Sequence, residues 1–215
     1  MILKILPVTA FVENVYILAS EETKEAVVFD PGGEADRINA LIDEMGVTVK
    51  YILNTHGHMD HVGGITKVRE ATDAKFGIHE TDVEMMRRQP ADYAFRLIPD
   101  FVEPPEPDLL VKDGDEFQVG DMSIKAIETP GHTMGSTCHL VDGLLISGDT
   151  LFQGSVGRTD FPGSSSEALV ESIRTRLFEL DDETVVYPGH GPETSIGYEK
   201  LNNPFVGVRS RLWTP

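Results

Sequence analysis

Four side chains that bind metals or move protons fall within six residues of one another: His56, His58, Asp60 and His61. Alternate residues of an extended segment face the same way, so His56, His58 and Asp60 can converge. Imidazole and carboxylate together suit zinc, iron or manganese, and the absence of thiolates argues against a closed structural zinc site. The alternative is a solvated polar loop, but four such groups so close together are costly unless something pairs them.

Three further candidates stand in glycine-containing turns after apolar segments. His132 and His190 each follow a Pro-Gly pair, and Asp149 follows Ser-Gly. A lone histidine in such a turn is usually a surface residue, and a lone aspartate usually caps a turn or helix. The repeated Pro-Gly-His turn favours a shared role in metal binding. His79 and His139 lack this setting and are expected to be structural.

The apolar pattern predicts elements that would place these turns at strand ends. Strands are expected at 2–6, 15–19, 26–30, 51–54, 75–79, 123–128, 137–141, 144–147 and 184–187. Helices are expected at 35–44, 62–72, 81–88 and 166–180. The two halves share this arrangement, which indicates two packed sheets with helices outside. The proline-rich segment 89–108 is expected to be a long surface loop of the kind that often acts as a lid.

Composition excludes several classes of function. The 215 residues fit one domain spanning 1–215, and a net charge of −18 disfavours nucleic acid as a partner. The chain has no apolar run of about 18 residues, so no membrane association is expected. The single cysteine, Cys138, rules out an internal disulfide and indicates a cytoplasmic location. Packing in an apolar strand is its expected role.

The run THGHMDH, followed by Gly63 and Gly64, resembles the metal-binding signature of the metallo-β-lactamase superfamily. The resemblance continues in the family's order through His132, Asp149 and His190. It implies an α+β fold, a four-layer αββα sandwich with the site along one edge. It also implies two divalent metal ions, zinc in the first place, with iron or manganese as alternatives.

The resemblance assigns the ligands by motif. One metal would take His56, His58 and His132, the other would take Asp60, His61 and His190, and Asp149 would bridge them. Asp60 could instead serve as a general base, although the family motif uses it as a ligand. Asp30 is a candidate for orienting a ligand, and capping the Pro-Gly-Gly turn is its alternative role.

Within the superfamily, GDTLFQGSVGRTDFPG and VYPGHGPETSIGYEKLNNPF are similar to the glyoxalase II-like group, the hydroxyacylglutathione hydrolases in their short form. Class B1 β-lactamases usually have cysteine at the position of Asp149, and flavodiiron proteins have glutamate at that of His58. Full-length glyoxalase II carries a C-terminal helical extension with basic residues that hold glutathione, and this sequence ends before such an extension.

The expected activity is hydrolysis of a small-molecule thioester of the hydroxyacylglutathione type by a metal-bound hydroxide, with Asp60 and Asp149 as the catalytic carboxylates. Two metal ions lower the pKa of a bridging water toward neutrality. A thiolate, with a pKa near 8.5 in model compounds, leaves without a strong general acid. Substrate contacts are expected from Tyr93, Phe95 and Arg96 in the 89–108 loop. Arg158 would either receive a substrate carboxylate or pair with Asp160.

Other functions share these residues. A persulfide dioxygenase would use a single iron on His56, His132 and Asp149, which form a set of two histidines and one carboxylate. A lactonase would use the same water on an ester carbonyl. A metal-binding scaffold without catalysis is the alternative outside enzymes, although the complete ligand set argues against it.

Overall fold

The computed structural model describes residues 1–88 and 96–210 and forms two large β-sheets. The first has six strands that lie side by side in chain order. They are β1 (Ile2–Val8), β2 (Glu13–Ala19), β3 (Glu25–Phe29), β4 (Thr48–Leu53), β5 (Lys75–His79) and β6 (Leu109–Val111). The pairs β1–β2 and β2–β3 are antiparallel, and β3 to β6 run parallel.

The second sheet also has six strands, in the order β14-β13-β10-β9-β8-β7. They are β7 (Glu116–Val119), β8 (Met122–Glu128), β9 (Thr137–Val141), β10 (Leu144–Gly148), β13 (Val185–Pro188) and β14 (Thr194–Ser195). A small hairpin of β11 (Leu151–Phe152) and β12 (Ser155–Val156) follows β10. The parallel pairing of β10 with β13 brings the carboxyl ends of these two strands to the same edge.

Helices cover the outer faces of the two sheets. They are α1 (Ala35–Met45), α2 (Met59–Val62), α3 (Ile65–Thr72), α4 (Glu80–Arg87), α5 (Ser166–Ser172) and α6 (Ile196–Asn202). The last turn after α5, Ile173–Leu177, is a π-helix in which Phe178 N donates to Ile173 O at 2.9 Å. Among the residues described, no helix combines the length and the apolar character that crossing a bilayer requires.

Strand β2 shows how the layers arise from the sequence. All seven of its residues are buried, so alternate side chains enter two different apolar clusters. Ile17 packs in the outer cluster, which includes Ile38 of α1 and Val68 of α3. Leu18 enters the cluster between the sheets. The second sheet packs its outer face on α5 and α6 in a third cluster. The four-layer sandwich expected from the sequence is therefore confirmed.

The predicted helix 62–72 is interrupted at Gly63 and Gly64, and the segment is two helices, α2 and α3. A Cβ on Gly63 would lie 2.6 Å from Gly32 O, and one on Gly64 would lie 2.9 Å from Pro31 O. Gly64 N also donates to Pro31 O at 2.7 Å. Backbone contact between the two turns thus requires glycine there and fixes the position of the short helix that carries His61.

One other predicted helix ends earlier than expected, and some short elements were not predicted. The α-helix expected at 166–180 ends at Ser172 and continues as the π-helical turn. The short strands β6 and β7 were not predicted, because three and four residues are too few to show a period of two. The first part of the predicted 89–108 loop, with Tyr93 and Phe95, lies outside the described residues.

Candidate metal centre

Seven ligand-type side chains converge where four strands end. His56, His58, Asp60 and His61 follow β4, and Asp149 directly follows β10. His132 follows β8 and His190 follows β13. Since β4 belongs to the first sheet and the other three strands to the second, the cluster lies across the boundary between the sheets.

Three histidines form one half of the cluster. The ligand atoms of His56, His58 and His132 all lie within 4.8 Å of one another. His58 Nδ1 and His132 Nε2 are 2.9 Å apart. Three imidazole nitrogens at this spacing can hold one metal ion.

Asp60, His61 and His190 form the other half, with ligand atoms again within 4.8 Å of one another. His190 Nε2 lies 3.4 Å from Asp60 Oδ2. Asp149 stands between the halves: its Oδ2 is 3.5 Å from His132 Nε2, and its Oδ1 is 3.5 Å from His61 Nε2. The seven predicted ligands are thus brought together in two groups with one carboxylate between them.

Four of the histidines are held in the same tautomer by a partner outside the cluster. In each, Nδ1 faces an oxygen that accepts a hydrogen bond, which leaves the lone pair on Nε2. The pairs are His56 with Thr55 Oγ1 (3.0 Å), His61 with Asp30 Oδ2 (3.0 Å), His132 with Arg158 O (2.8 Å) and His190 with Phe11 O (3.1 Å).

Asp30 has the most connected position behind the cluster. Its carboxylate accepts from Thr55 N at 2.7 Å, from Thr55 Oγ1 at 2.6 Å and from His61 Nδ1 at 3.0 Å. Because the Thr55 hydroxyl donates its proton to Asp30, its oxygen can act only as an acceptor toward His56 Nδ1. Of the two roles expected for Asp30, the structure supports the orienting of ligands.

Burial and neighbouring charges shift the pKa values of the cluster in opposite directions. Burial and the surrounding imidazoles hold the pKa of His56 well below its usual value, and they lower that of His58 to about 3. Burial also opposes the charged form of His61, but the carboxylates of Asp149 and Asp30 outweigh it and raise the His61 pKa. Burial raises the pKa of Asp60, yet the hydrogen bond with His190 prevails and lowers it.

The donor atoms fit a pair of metal ions. Within the described structure, His56 Nε2, His61 Nε2 and Asp149 Oδ1 are buried without a hydrogen-bond partner. Buried polar atoms are rarely left unpaired, so three of them facing one small space indicate a missing ligand. Several carboxylates, Asp30, Asp60 and Asp149 among them, surround that space. This His/Asp cluster therefore fits a dinuclear metal site.

Side chains at the start of β2 donate hydrogen bonds to the backbone of the turn that contains His190. The sequence analysis did not predict these contacts. Asn14 Nδ2 donates to Pro188 O at 3.1 Å and to Gly191 O at 3.0 Å. Tyr16 Oη donates to Pro188 O at 2.6 Å. The only sequence signal is that these polar groups interrupt an otherwise apolar strand.

Glu13, the first residue of β2, is another site residue that sequence reasoning missed. It is fully buried, and Oε1 lies 3.9 Å from His61 Nδ1. Neither carboxylate oxygen has a hydrogen-bond partner within the described residues. Burial raises its pKa well above the usual value. It adds a further acidic group beside the half of the cluster that contains His61.

Phe161 borders the cluster on the histidine-rich side. Its ring centroid lies 5.2 Å from that of His58 and 6.2 Å from that of His132, and 38% of the residue is exposed. The Arg158 guanidinium lies 4.5 Å from the centre of the Phe161 ring and donates twice to Asp160, at 3.0 and 2.9 Å. Of the two roles expected for Arg158, the structure shows the internal pair. Arg96, the other described candidate for substrate contact, is exposed.

The histidines expected to be structural lie apart from the cluster. His79 caps α4, where its Nδ1 accepts from Thr81 N at 3.1 Å. His139 is fully buried, with its ring 5.3 Å from that of Phe29. Cys138 is also fully buried, and burial raises its pKa to about 11, as expected for a core thiol.

The fold and the site define the class of protein, a two-sheet sandwich with a dinuclear His/Asp centre at its edge. Residues 8–190 match the family model described as the metallo-beta-lactamase superfamily. The chain therefore belongs to the metallo-beta-lactamase superfamily. It is 37% identical to the hydroxyacylglutathione hydrolase GloC of Haemophilus influenzae, and the match covers 97% of this chain and 99% of that protein.

Solved structures show the same likeness. The B3 metallo-beta-lactamase BLEG-1 is 34% identical with a TM-score of 0.86, and the match covers 95% of this chain and 99% of that one. ETHE1 from Myxococcus xanthus is 31% identical with a TM-score of 0.82, covering 98% and 87%. TTHA1623, solved in a di-iron-bound form, is 36% identical with a TM-score of 0.82, covering 93% and 99%. Together these support a metal-dependent hydrolase, and the di-iron neighbour leaves the metal open.

Proposed function

We propose that this protein is a thioesterase that hydrolyses hydroxyacylglutathione-type thioesters with two divalent metal ions, which we take to be zinc. The observation that carries the metal-dependent chemistry is the fixed tautomer of four histidines, each directing Nε2 into one cluster. The similarity to GloC over nearly the whole chain supports the substrate class. The single cysteine, Cys138, allows no internal disulfide, which supports a cytoplasmic location.

The metal ions would be held by His56, His58 and His132 in one half and by Asp60, His61 and His190 in the other, with Asp149 shared. They would polarise a carbonyl oxygen and lower the pKa of a coordinated water. The protein's own part is to fix the ligand atoms: Asp30, Thr55 and two backbone carbonyls hold the imidazoles so that their lone pairs do not turn away.

Among the described residues, the side chains at the exposed border of the cluster favour a leaving group that needs no proton. Asp60 and Asp149 face histidine nitrogens and serve as ligands in this proposal. At the border of the site, Phe161 has no proton to give, and Arg158 stays charged in its pair with Asp160. A thiolate can depart unaided, whereas an amine requires protonation. This supports a thioester over an amide such as a β-lactam.

Metal analysis and a substrate panel test the proposal together. Protein grown with ample zinc, iron and manganese is expected to hold close to two metal ions per chain. It should hydrolyse S-D-lactoylglutathione faster than a lactone or a β-lactam. Two bound metals with no thioester hydrolysis would contradict the thioesterase, and two bound metals with no activity on any of these substrates would support a metal-binding scaffold without catalysis. A protein that binds no metal would contradict both.

Asp149→Ala is expected to reduce thioesterase activity by at least about 100-fold, comparable to the loss of other essential site groups. The reason is that this carboxylate lies between the two halves, with its two oxygens 3.5 Å from His61 Nε2 and 3.5 Å from His132 Nε2. Circular dichroism should stay near that of the wild type. Asp108→Ala is the matched control, because Asp108 also accepts two hydrogen bonds, from Arg69 and Phe76, outside the cluster. If Asp149→Ala keeps activity within a few-fold of the wild type, the assignment of Asp149 as a ligand shared by the two metal ions is wrong.

A persulfide dioxygenase is the second candidate, favoured by the similarity to ETHE1 across 98% of this chain. It would use His56, His132 and Asp149 around one iron. The same preparation separates the two functions. A stable maximum of one iron per chain, with oxygen-dependent sulfite formation from glutathione persulfide, would favour the dioxygenase.

A further inference from the structure

Asp82, in the first turn of α4, is buried to 1% exposure although its side chain is a carboxylic acid. It accepts three hydrogen bonds: from Gly57 N at 2.9 Å, from Thr133 Oγ1 at 2.7 Å and from Gly135 N at 2.8 Å. Both carboxylate oxygens are used, Oδ2 by Gly57 and Thr133 and Oδ1 by Gly135. Every partner is a donor, so the site is built for a group that only accepts.

The partners of Asp82 belong to two loops that carry histidines of the metal centre. Gly57 lies between His56 and His58 in the loop after β4, and Thr133 directly follows His132 in the loop after β8. These loops leave different sheets. One carboxylate therefore joins the two parts of the histidine-rich half, where His58 Nδ1 and His132 Nε2 lie 2.9 Å apart.

The backbone around Asp82 fits it closely. A Cβ on Gly135 would collide with the Asp82 carboxylate, and one on Gly57 would lie 2.8 Å from the Asp82 carbonyl oxygen. Glycine at both positions lets the two loops approach the same side chain. Burial raises the pKa of Asp82, and its three hydrogen bonds oppose that shift. Burying a carboxylate costs desolvation free energy. A buried carboxylate with three close hydrogen bonds is therefore expected to have a role other than packing.

We propose that Asp82 is a positioning residue that sets the spacing of His58 and His132 and thereby the affinity of the histidine-rich half for its metal ion. This inference rests on the metal ligands of the proposed function. Residues that orient ligands without touching the metal typically change metal affinity by about 10- to 100-fold when they are replaced. The Asp60–His61–His190 half makes no hydrogen bond to Asp82 among the described contacts.

The test is a Co²⁺ titration of metal-free Asp82→Asn, followed by visible absorption, with the wild type alongside. Asparagine keeps the size but turns an N–H group toward donors that need an acceptor. One of the two binding events should weaken at least about 10-fold, while the other stays within about threefold. Asp108→Asn, which alters a carboxylate outside the cluster, should leave both unchanged.

Thr133→Val is a second variant that keeps the inference testable if Asp82→Asn does not fold. It removes a single hydrogen bond to Asp82 and should weaken the same binding event to a smaller extent. If both variants bind two Co²⁺ ions as tightly as the wild type while only the melting temperature falls, Asp82 is merely structural and the inference is wrong. A wild type that binds no Co²⁺ would instead overturn the proposed function itself.

Discussion

At the scale of single residues, the metal centre depends on groups that do not belong to it. Each of four imidazoles has a fixed hydrogen-bond acceptor on Nδ1, and two of those acceptors are backbone carbonyls, of Phe11 and Arg158. A carbonyl acceptor does not depend on the type of its side chain. These contacts therefore have no motif of their own, which is why the sequence predicted the ligands and offered Asp30 as a candidate partner but missed the two carbonyls.

His139 illustrates a histidine whose role is packing and whose protonation opposes folding. It is fully buried, and burial lowers its pKa from 6.5 to about 4. Between these values the unfolded chain binds a proton that the folded chain does not. Its contribution to stability is therefore complete above about pH 6.5 and is lost as the pH falls through this window.

We expect His139→Gln to remove this part of the acid sensitivity. The linkage relation, applied to pKa values of 6.5 in the unfolded chain and about 4 in the folded chain, gives the effect of this histidine. It lowers the free energy of unfolding of the wild type by about 2 kcal/mol at pH 5 relative to pH 7.5. Urea unfolding of metal-free wild type and variant at both pH values measures the difference. The loss between pH 7.5 and 5 should be about 2 kcal/mol smaller in the variant. An equal loss in both proteins would contradict the assignment.

At the scale of elements, strand β2 serves two structural roles. Its apolar residues supply both faces of the first sheet, and Asn14 and Tyr16 hold the His190 turn of the second sheet. Asn14 N also donates to Gly189 O at 2.8 Å. The same strand thus links the core of the molecule to the half of the metal centre that contains His190.

Asn14→Asp is expected to weaken the binding of one metal ion by about tenfold or more, in the half opposite to that affected by Asp82. The substitution replaces an amide donor by a carboxylate that faces the carbonyls of Pro188 and Gly191. Zinc titration of the metal-free protein measures it. Asn202→Asp is the control, because that amide makes two exposed hydrogen bonds outside the cluster: it donates to Tyr198 O and accepts from Arg209 Nη1. Two tight zinc ions in Asn14→Asp would show that the strand does not control the site.

The sequence predicted the elements that have a long apolar period and failed where contacts across the fold decide the local structure. The break between α2 and α3 depends on the approach of the 31–33 turn to Gly63 and Gly64. Asp82 appears in the sequence as an ordinary acidic residue of a helix. Its role arises only when two loops fold against it, one at Gly57, 25 residues before it, and the other at Thr133 and Gly135, 51 and 53 residues after it.

At the scale of the whole molecule, the net charge of −18 opposes the approach of an anionic substrate. The described groups at the border of the site do not offset this, because Arg158 is already paired with Asp160. The binding of non-reacting parts of a substrate lowers KM only where the protein contacts them. Weak discrimination between thiol carriers follows from this charge distribution.

We therefore expect a KM for S-D-lactoylglutathione toward or above about 1 mM, the upper end of the usual range for enzymes. Raising the ionic strength from about 0.01 to 0.15 M shortens the Debye length from about 30 to 8 Å and should lower this KM. Steady-state kinetics with the matched N-acetylcysteamine thioester, which is uncharged, supplies the control and should show little response to salt. A low-micromolar KM for the glutathione thioester alone, unaffected by salt, would reveal a dedicated glutathione site.

The placement of the ligands on both sheets also has a consequence during synthesis. His56 and His190 are 134 residues apart, so at about 5 to 20 residues per second the ribosome needs roughly 7 to 27 s to pass from the first to the last. Throughout that interval the nascent chain has the first histidines of the centre without the turn that completes it. On the proposed ligand assignment, both metal ions can be held only after His190 has been synthesised, and a protein that holds both would therefore have brought its two sheets together.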